Sequence, residues 1–393
     1  MNDGAVAAET VASPANIKGL SAGAYALFSL LVILLAAYCG VVLQSDWAAV
    51  RALGFSGFFV PDAVGLASTV DLAWKSDWQS WPHFITLLGV VLLYGPATVL
   101  GSWAATGINV LLLWCASQIF LASLYSIFDT RNARQIALLA TALVASNIYI
   151  IEILQFPNKE IPLLLLSNVV LYVSVAHGSL LPAAVLSMIV YVFRDGYAMI
   201  LLVAMTLLFC RKYLGRIPAL IMLAAMPTFM ILLPISDLAE VDSAVGRNVE
   251  IGEAISGDKF ESLGLFSYLA RLAGNVANLG LRPQMVDVSG GIYVLGIGFW
   301  QFGVVLLSGL LWAGYNVFSS DAKRAGTALV IVASILGIAY GSFVQPRYMM
   351  PLMFWLSLGM VESRIFRWVS LVSCTVAPMI FLALGGLPPL AGG

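Results

Sequence analysis

The stretch "FVQPRYMMPLMFW", residues 343–355, sets Gln345, Arg347 and Tyr348 around and between Pro346 and Pro351 in an otherwise apolar part of the chain. An arginine offers a planar fork of donors that matches phosphate oxygens, and it does not lose its proton. The flanking prolines restrict the backbone, which suits a positioned anion contact. The alternative is an interfacial anchor that snorkels to a membrane surface. Two other turns carry isolated charges in the same way. In "QFPNKEIPL", Lys159 could neutralise a phosphate on a lipid-linked substrate, or Lys159 and Glu160 could form a surface pair at a helix start. In "FRDGYAMILL", Arg194 could face an anionic headgroup or pair with Asp195.

Proton-transfer chemistry points to the stretch "FFVPDAVGLASTVDLAWKSDWQSWPH". Asp62 follows Pro61 shortly after an apolar run and should sit near the membrane surface. Partial desolvation there raises a carboxylate's pKa towards neutrality, as a general base requires. The competing role for Asp62 is helix capping. Asp71, Asp77 and His83 are further choices, and His177 reads as structural. Trp47, Trp74, Trp78 and Trp81 suit interfacial anchoring, although aromatic faces also stack on sugars. Cys39, Cys115, Cys210 and Cys374 stand singly in apolar segments with no CxxC and no Cys/His cluster, so they read as packing residues and no metal site is expected. No organic cofactor is implied either.

These residues need positioning elements, and composition says what kind. The 393 residues are 61% hydrophobic and 10% charged, with mean hydropathy +0.96, far from the roughly 25% charge of soluble domains. The net charge of −1 gives no sign of nucleic-acid binding. Apolar runs long enough to cross a bilayer recur along the chain. The fold class expected is all-α, a polytopic transmembrane helical bundle forming a single integral-membrane domain. Spans are expected near 22–43, 107–127, 136–155, 161–177, 179–193, 197–210, 217–235, 292–312, 326–344, 349–361 and 368–385, about eleven in all.

The run 84–103 is apolar but broken at Gly95 and Pro96. If it re-enters or lies at the interface, Lys18, "DTRNAR", "RKYLGR", "DAKR" and "ESRIFR" all share the cytoplasmic side, as the positive-inside rule favours. Loops of about 44–106 and 236–291 are then external, joined by the turns holding Lys159, Arg194 and Arg347. Charges kept against that bias are candidates for function. Within the second loop, Phe266, Leu269, Leu272 or Ala273, and Val276 share a helical face, as in a helix lying on a membrane surface.

The order of an Asp in "PDAVGLASTVDLAW", then "INVLLLW" and "LYSIFDTRNAR", then "NKEIPLLLLSNVVLY", and late "QPRYMMPL" resembles the bacterial membrane glycosyltransferases of the GT-C superfamily and the related Wzy-type and EpsG-type polysaccharide polymerases. The resemblance covers much of the chain through short motifs. It implies a GT-C-like helical bundle of the bacterial inner membrane, with an acidic residue in the first external loop. Its late arginine–tyrosine turn would face a polyprenyl phosphate-linked or diphosphate-linked glycan. Asp62 would be catalytic, with Lys159, Arg194, Arg282 and Arg347 around the phosphate and Glu160, Asp195, Gln345 and Tyr348 beside them. Partners would be that glycan, the bilayer and other polysaccharide export components. Ala63 follows Asp62 where many such enzymes carry an acidic pair, which sets the metal-binding form of the site in doubt. A transporter or flippase, or a scaffold of a secretion complex, is the alternative class. The transporter reading would need ionisable residues inside the spans, and Glu152 is the one acidic candidate.

Overall fold

The computed structural model describes residues 20–45, 60–76, 87–232, 285–288, 292–295, 297–339 and 346–362, with Trp368. In chain order the helices are α1 (Ala22–Ser45), α2 (Val60–Lys75), α3 (Leu88–Leu100), α4 (Ser102–Leu124), α5 (Thr130–Ala145), α6 (Ile148–Ile153) and α7 (Glu160–Leu171). They continue as α8 (Leu180–Ile189), α9 (Asp195–Tyr213), α10 (Arg216–Leu232), α11 (Ile297–Asn316), α12 (Ala322–Ala339), α13 (Met353–Leu356) and α14 (Leu358–Glu362). Among the described residues four stretches are long and apolar enough to cross a membrane: Ala22–Val41, Trp103–Leu124, Gly196–Tyr213 and Ala322–Ala339.

Several expected spans are broken, each for a local reason. The run 136–155 divides into α5 and α6 at Ser146 and Asn147, where the Ser146 hydroxyl donates back to the Leu143 carbonyl at 3.2 Å. Such side chains compete with the helix for backbone partners. The run 161–177 is α7 followed by a π-helical turn, Tyr172–Ala176. The late run 349–361 starts in a 3-10 turn, Pro346–Leu352, before the short α13 and α14. Pro351 lacks an N–H and cannot extend an α-helical ladder there. The described residues are mostly helical, as expected, with one short hairpin. Met285–Val288 pairs antiparallel with Ile292–Leu295, Met285 opposite Leu295, and the helix expected from 292 starts at Ile297. The expected surface helix within 263–283, most of the loop 236–291 and the run 368–385, apart from Trp368, lie outside the described residues.

The core is built around α12, which is buried over most of its length and packs along α9 and α11. Small residues allow that approach, as in other membrane-type bundles: Gly326 faces Leu208 and Gly337 faces Ile200. Phe120 of α4 meets Phe354 and Trp355 of α13, each with ring centres 5.1 Å apart, the second edge-on. Cys39 and Cys210 are buried within the helices.

The bundle has two chemically distinct ends. At one, Arg134 donates to the Leu20 carbonyl at 2.7 Å and to the Tyr125 hydroxyl at 2.9 Å. Arg324 lies over the Phe128 ring at 4.7 Å and pairs with Glu362 at 2.8 Å. Arg216 lies over Phe318, and Lys212 donates to the Gly178 carbonyl at 2.9 Å. The described parts of "DTRNAR", "RKYLGR" and "DAKR", with Glu362, therefore share this basic end. At the opposite end, Gln155 donates to the Ala37 carbonyl at 2.9 Å and accepts from Thr106 at 3.3 Å.

The helix α3 does not run between the two ends. Gly89 near its start packs on Phe193, and its last residue adjoins α4 through Gly101. Gly101 has φ 94°, a conformation that side chains with a Cβ rarely adopt. The chain thereby reverses at the opposite end and enters α4 there.

Candidate functional site

A buried polar knot fixes the turn that precedes α7. Asn109 of α4 donates to the carbonyls of Ile153, Leu154 and Phe156, at 3.2, 3.1 and 2.8 Å. Its carbonyl oxygen accepts from the Tyr94 hydroxyl of α3 and from Asn158 Nδ2, the latter at 3.1 Å. Asn158 also donates to the Ile153 and Phe156 carbonyls, and its Oδ1 accepts from the Ile161 amide at 2.9 Å. Tyr94, Asn109, Asn158, Ile153 and Leu154 are buried and Phe156 is half-buried, so most of these hydrogen bonds replace ones lost to water. The knot holds residues 153–158 in one shape and so sets where Lys159 and Glu160 emerge.

Glu160 is 8% exposed, with its Oε2 accepting from the Lys159 amide at 3.2 Å and Tyr94 within electrostatic reach. Glu160 is thus buried rather than at the surface, because α7 starts beneath its neighbours. The carboxylate turns inward and meets Lys159 through its main chain.

Arg194 precedes α9 in an extended conformation, φ −167° and ψ 112°. Its guanidinium carbon lies 4.1 Å from the centre of the Tyr348 ring. Stacking on an aromatic face orients the guanidinium plane and leaves its edge donors pointing outwards. The 3-10 turn that carries Tyr348 packs along α7, which begins at Glu160. Phe193, beside Arg194, packs against both the main core and the small satellite core that α2 and α3 build around Val70, Val90 and Tyr94. Contacts thus run in a ring at this end, from α3 to Phe193 and Arg194, to Tyr348, to α7, and back through Asn158 and Asn109 to Tyr94.

Asp62 falls in the first turn of α2, which packs on α3. Asp71 is tied to Lys75 one turn on, at 2.7 Å. Trp74 packs over Gly95, so it joins α2 to α3 rather than standing free. His177 sits edge-on to Tyr172 with ring centres 4.6 Å apart. Asp195 opens α9 and Arg347 lies in the Pro346–Leu352 turn. Glu152 belongs to α6. Asp77, His83, Arg282 and Gln345 lie outside the described residues, as do Trp47, Trp78, Trp81 and Cys374. Among the described residues no group of three His, Cys, Asp or Glu side chains could hold a metal.

Sequence reasoning picked out Arg194 and Tyr348 but missed Tyr94, Asn109 and Asn158. One signal was present: Asn109 interrupts the apolar run "INVLLLW", and a polar residue within such a run needs a partner. Comparison of the chain with family models, with curated proteins and with solved structures finds no match.

Proposed function

We propose that this protein is an inner-membrane glycosyltransferase or repeat-unit polymerase of surface-polysaccharide assembly, with about eleven membrane crossings. Its substrate is a glycan on a polyprenyl phosphate or diphosphate, taken at the periplasmic face. The observation that carries this reading is the Arg194 guanidinium stacked on Tyr348 at the end opposite the basic clusters. By the positive-inside rule the basic end is cytoplasmic, which makes the Arg194 end external. An oriented guanidinium there suits the phosphate of a lipid-linked donor.

In the reaction, an acceptor hydroxyl oxygen bonds to the donor's anomeric carbon as the bond from that carbon to the phosphate oxygen breaks. The electron pair leaves with the polyprenyl (di)phosphate. Lys159, Arg194, Arg282 and Arg347 offset the charge that grows on it. Asp62 accepts the hydroxyl proton.

The test is polysaccharide or glycoconjugate output from cells making Arg347→Ala or Arg347→Lys, with membrane abundance checked by immunoblot. Losing one charge-assisted contact costs about 1.5–3 kcal/mol, or about ten- to a hundredfold in rate. Both variants should lose output, because a point charge does not reproduce a two-pronged contact. Normal output from Arg347→Lys would reduce Arg347 to a membrane anchor.

A further inference from the structure

The basic end carries a group of cations that pair with no carboxylate among the described residues. The helix α9 ends with Arg211 and Lys212, the chain turns at Gly215, and α10 starts at Arg216. Lys212 donates to the Gly178 carbonyl and lies 5.4 Å from the Tyr213 ring centre. Arg216 lies 5.5 Å from the Phe318 ring centre. Arg211 is half-buried and close enough to Arg216 for the two charges to repel. Among the described residues the ion pairs are Asp71–Lys75 and Arg324–Glu362, so none involves these three cations. Arg324, at the same end, has its carboxylate; this group has none among the described residues.

Half-buried Arg211 and exposed Arg216 repel each other, and an anion lying between them would relieve that. The surroundings say which kind of anion fits. Tyr213, Ile217 and Phe318 are all exposed apolar side chains beside the cations. Cations next to outward apolar groups match the boundary between charged headgroups and acyl chains. We propose that Arg211, Lys212 and Arg216 bind the phosphate of an anionic phospholipid headgroup, with Tyr213, Ile217 and Phe318 against its acyl chains. A free phosphate would satisfy the charges but would leave those apolar side chains without a role. The site is separate from the glycan site and stands whether or not the chain transfers sugars.

The test titrates the purified full-length protein, in neutral detergent micelles, with phosphatidylglycerol or with phosphatidylcholine of the same acyl chains. Native mass spectrometry counts bound lipid. Phosphatidylglycerol should bind in preference, and Arg211→Gln with Arg216→Gln should weaken it roughly tenfold or more. Removing two other cations of the same end, by Arg131→Gln with Lys323→Gln, should leave binding near wild type. Equal losses from both double variants, or equal binding of the two lipids, would overturn the proposal. So would full displacement by inorganic phosphate, which would assign the site to a soluble anion. If the Arg211/Arg216 variant does not fold, hydrogen exchange of wild-type residues 211–217 decides. Protection gained with phosphatidylglycerol and not with phosphatidylcholine supports the site, and equal protection refutes it.

Discussion

The Arg194 guanidinium stands 4.1 Å above the Tyr348 ring, joining two turns separated by four helices among the described residues. The contact fixes the plane of the arginine without using its donors. Tyr348→Phe keeps the aromatic face and should keep most glycan output. Tyr348→Leu removes it and should cost about 0.5–2 kcal/mol of orientation, or about two- to thirtyfold in output per molecule of protein. Equal output from the two variants would mean that the stack does not matter to activity.

Asn109 is the hub of the knot beneath that site. Asn109→Ala leaves three carbonyls with one donor fewer and the Tyr94 hydroxyl without its acceptor. Buried groups left unpaired cost about 1–3 kcal/mol each, so detergent-solubilised protein should unfold at a clearly lower temperature. Asn158 donates to two of those carbonyls, Ile153 and Phe156, and to the Asn109 carbonyl oxygen, so the Asn109→Ala, Asn158→Ala double variant should lose less than the sum of the singles. Additive losses would show that the two side chains act separately.

Close packing of α11 on α14 gives a stability test that does not involve the site. A Cβ at Gly359 would run into the Ser308 carbonyl, whereas one at Gly314 would meet nothing within 4 Å. Gly359→Ala should destabilise by about 1–3 kcal/mol, while Gly314→Ala should be neutral or stabilise by up to about 1 kcal/mol. Thermal unfolding of the two variants side by side checks the contrast.

Asp129 caps α5, accepting from the Arg131 and Asn132 amides at 3.2 and 3.0 Å. The Asn132 amide and side chain hold its carboxyl below the usual aspartate range. A depressed folded pKa stabilises above the unfolded value, about 3.9, and the contribution is lost as pH falls through the folded value. Hydrogen exchange at residues 131–133 should therefore show protection, corrected for intrinsic rates, that is steady at neutral pH and falls only in acid. Asp129→Asn, which still caps but does not titrate, should remove that acid dependence.

Helical content and the two ends were legible because run length and basic clusters depend only on local composition. Which apolar runs stay unbroken was not. Ser146 donates its hydroxyl back to the Leu143 carbonyl and the helix breaks there and at Asn147, so 136–155 reads as one apolar run but folds as two helices. Arg194 and Tyr348 each stood out as charges or aromatics in short turns, yet nothing in either stretch encodes their separation. Glu160 illustrates the opposite failure. Its neighbour suggests a surface ion pair, but α4 and the Pro346–Leu352 turn pack against α7 and bury it. The knot at Asn109 was out of reach because an asparagine in an apolar run announces a need for partners without naming them.

The most direct test of the central claim is reconstitution of the purified protein in liposomes carrying a polyprenyl diphosphate-linked glycan on the face exposed to the Arg194 end. The account expects free polyprenyl diphosphate to accumulate with a matching increase in glycan length. Arg194→Ala should slow both about ten- to a hundredfold, and Asp62→Asn should slow both about a hundredfold or more. Recovery of the intact lipid-linked glycan on the opposite leaflet, with no diphosphate released, would contradict glycosyl transfer and make the protein a translocator.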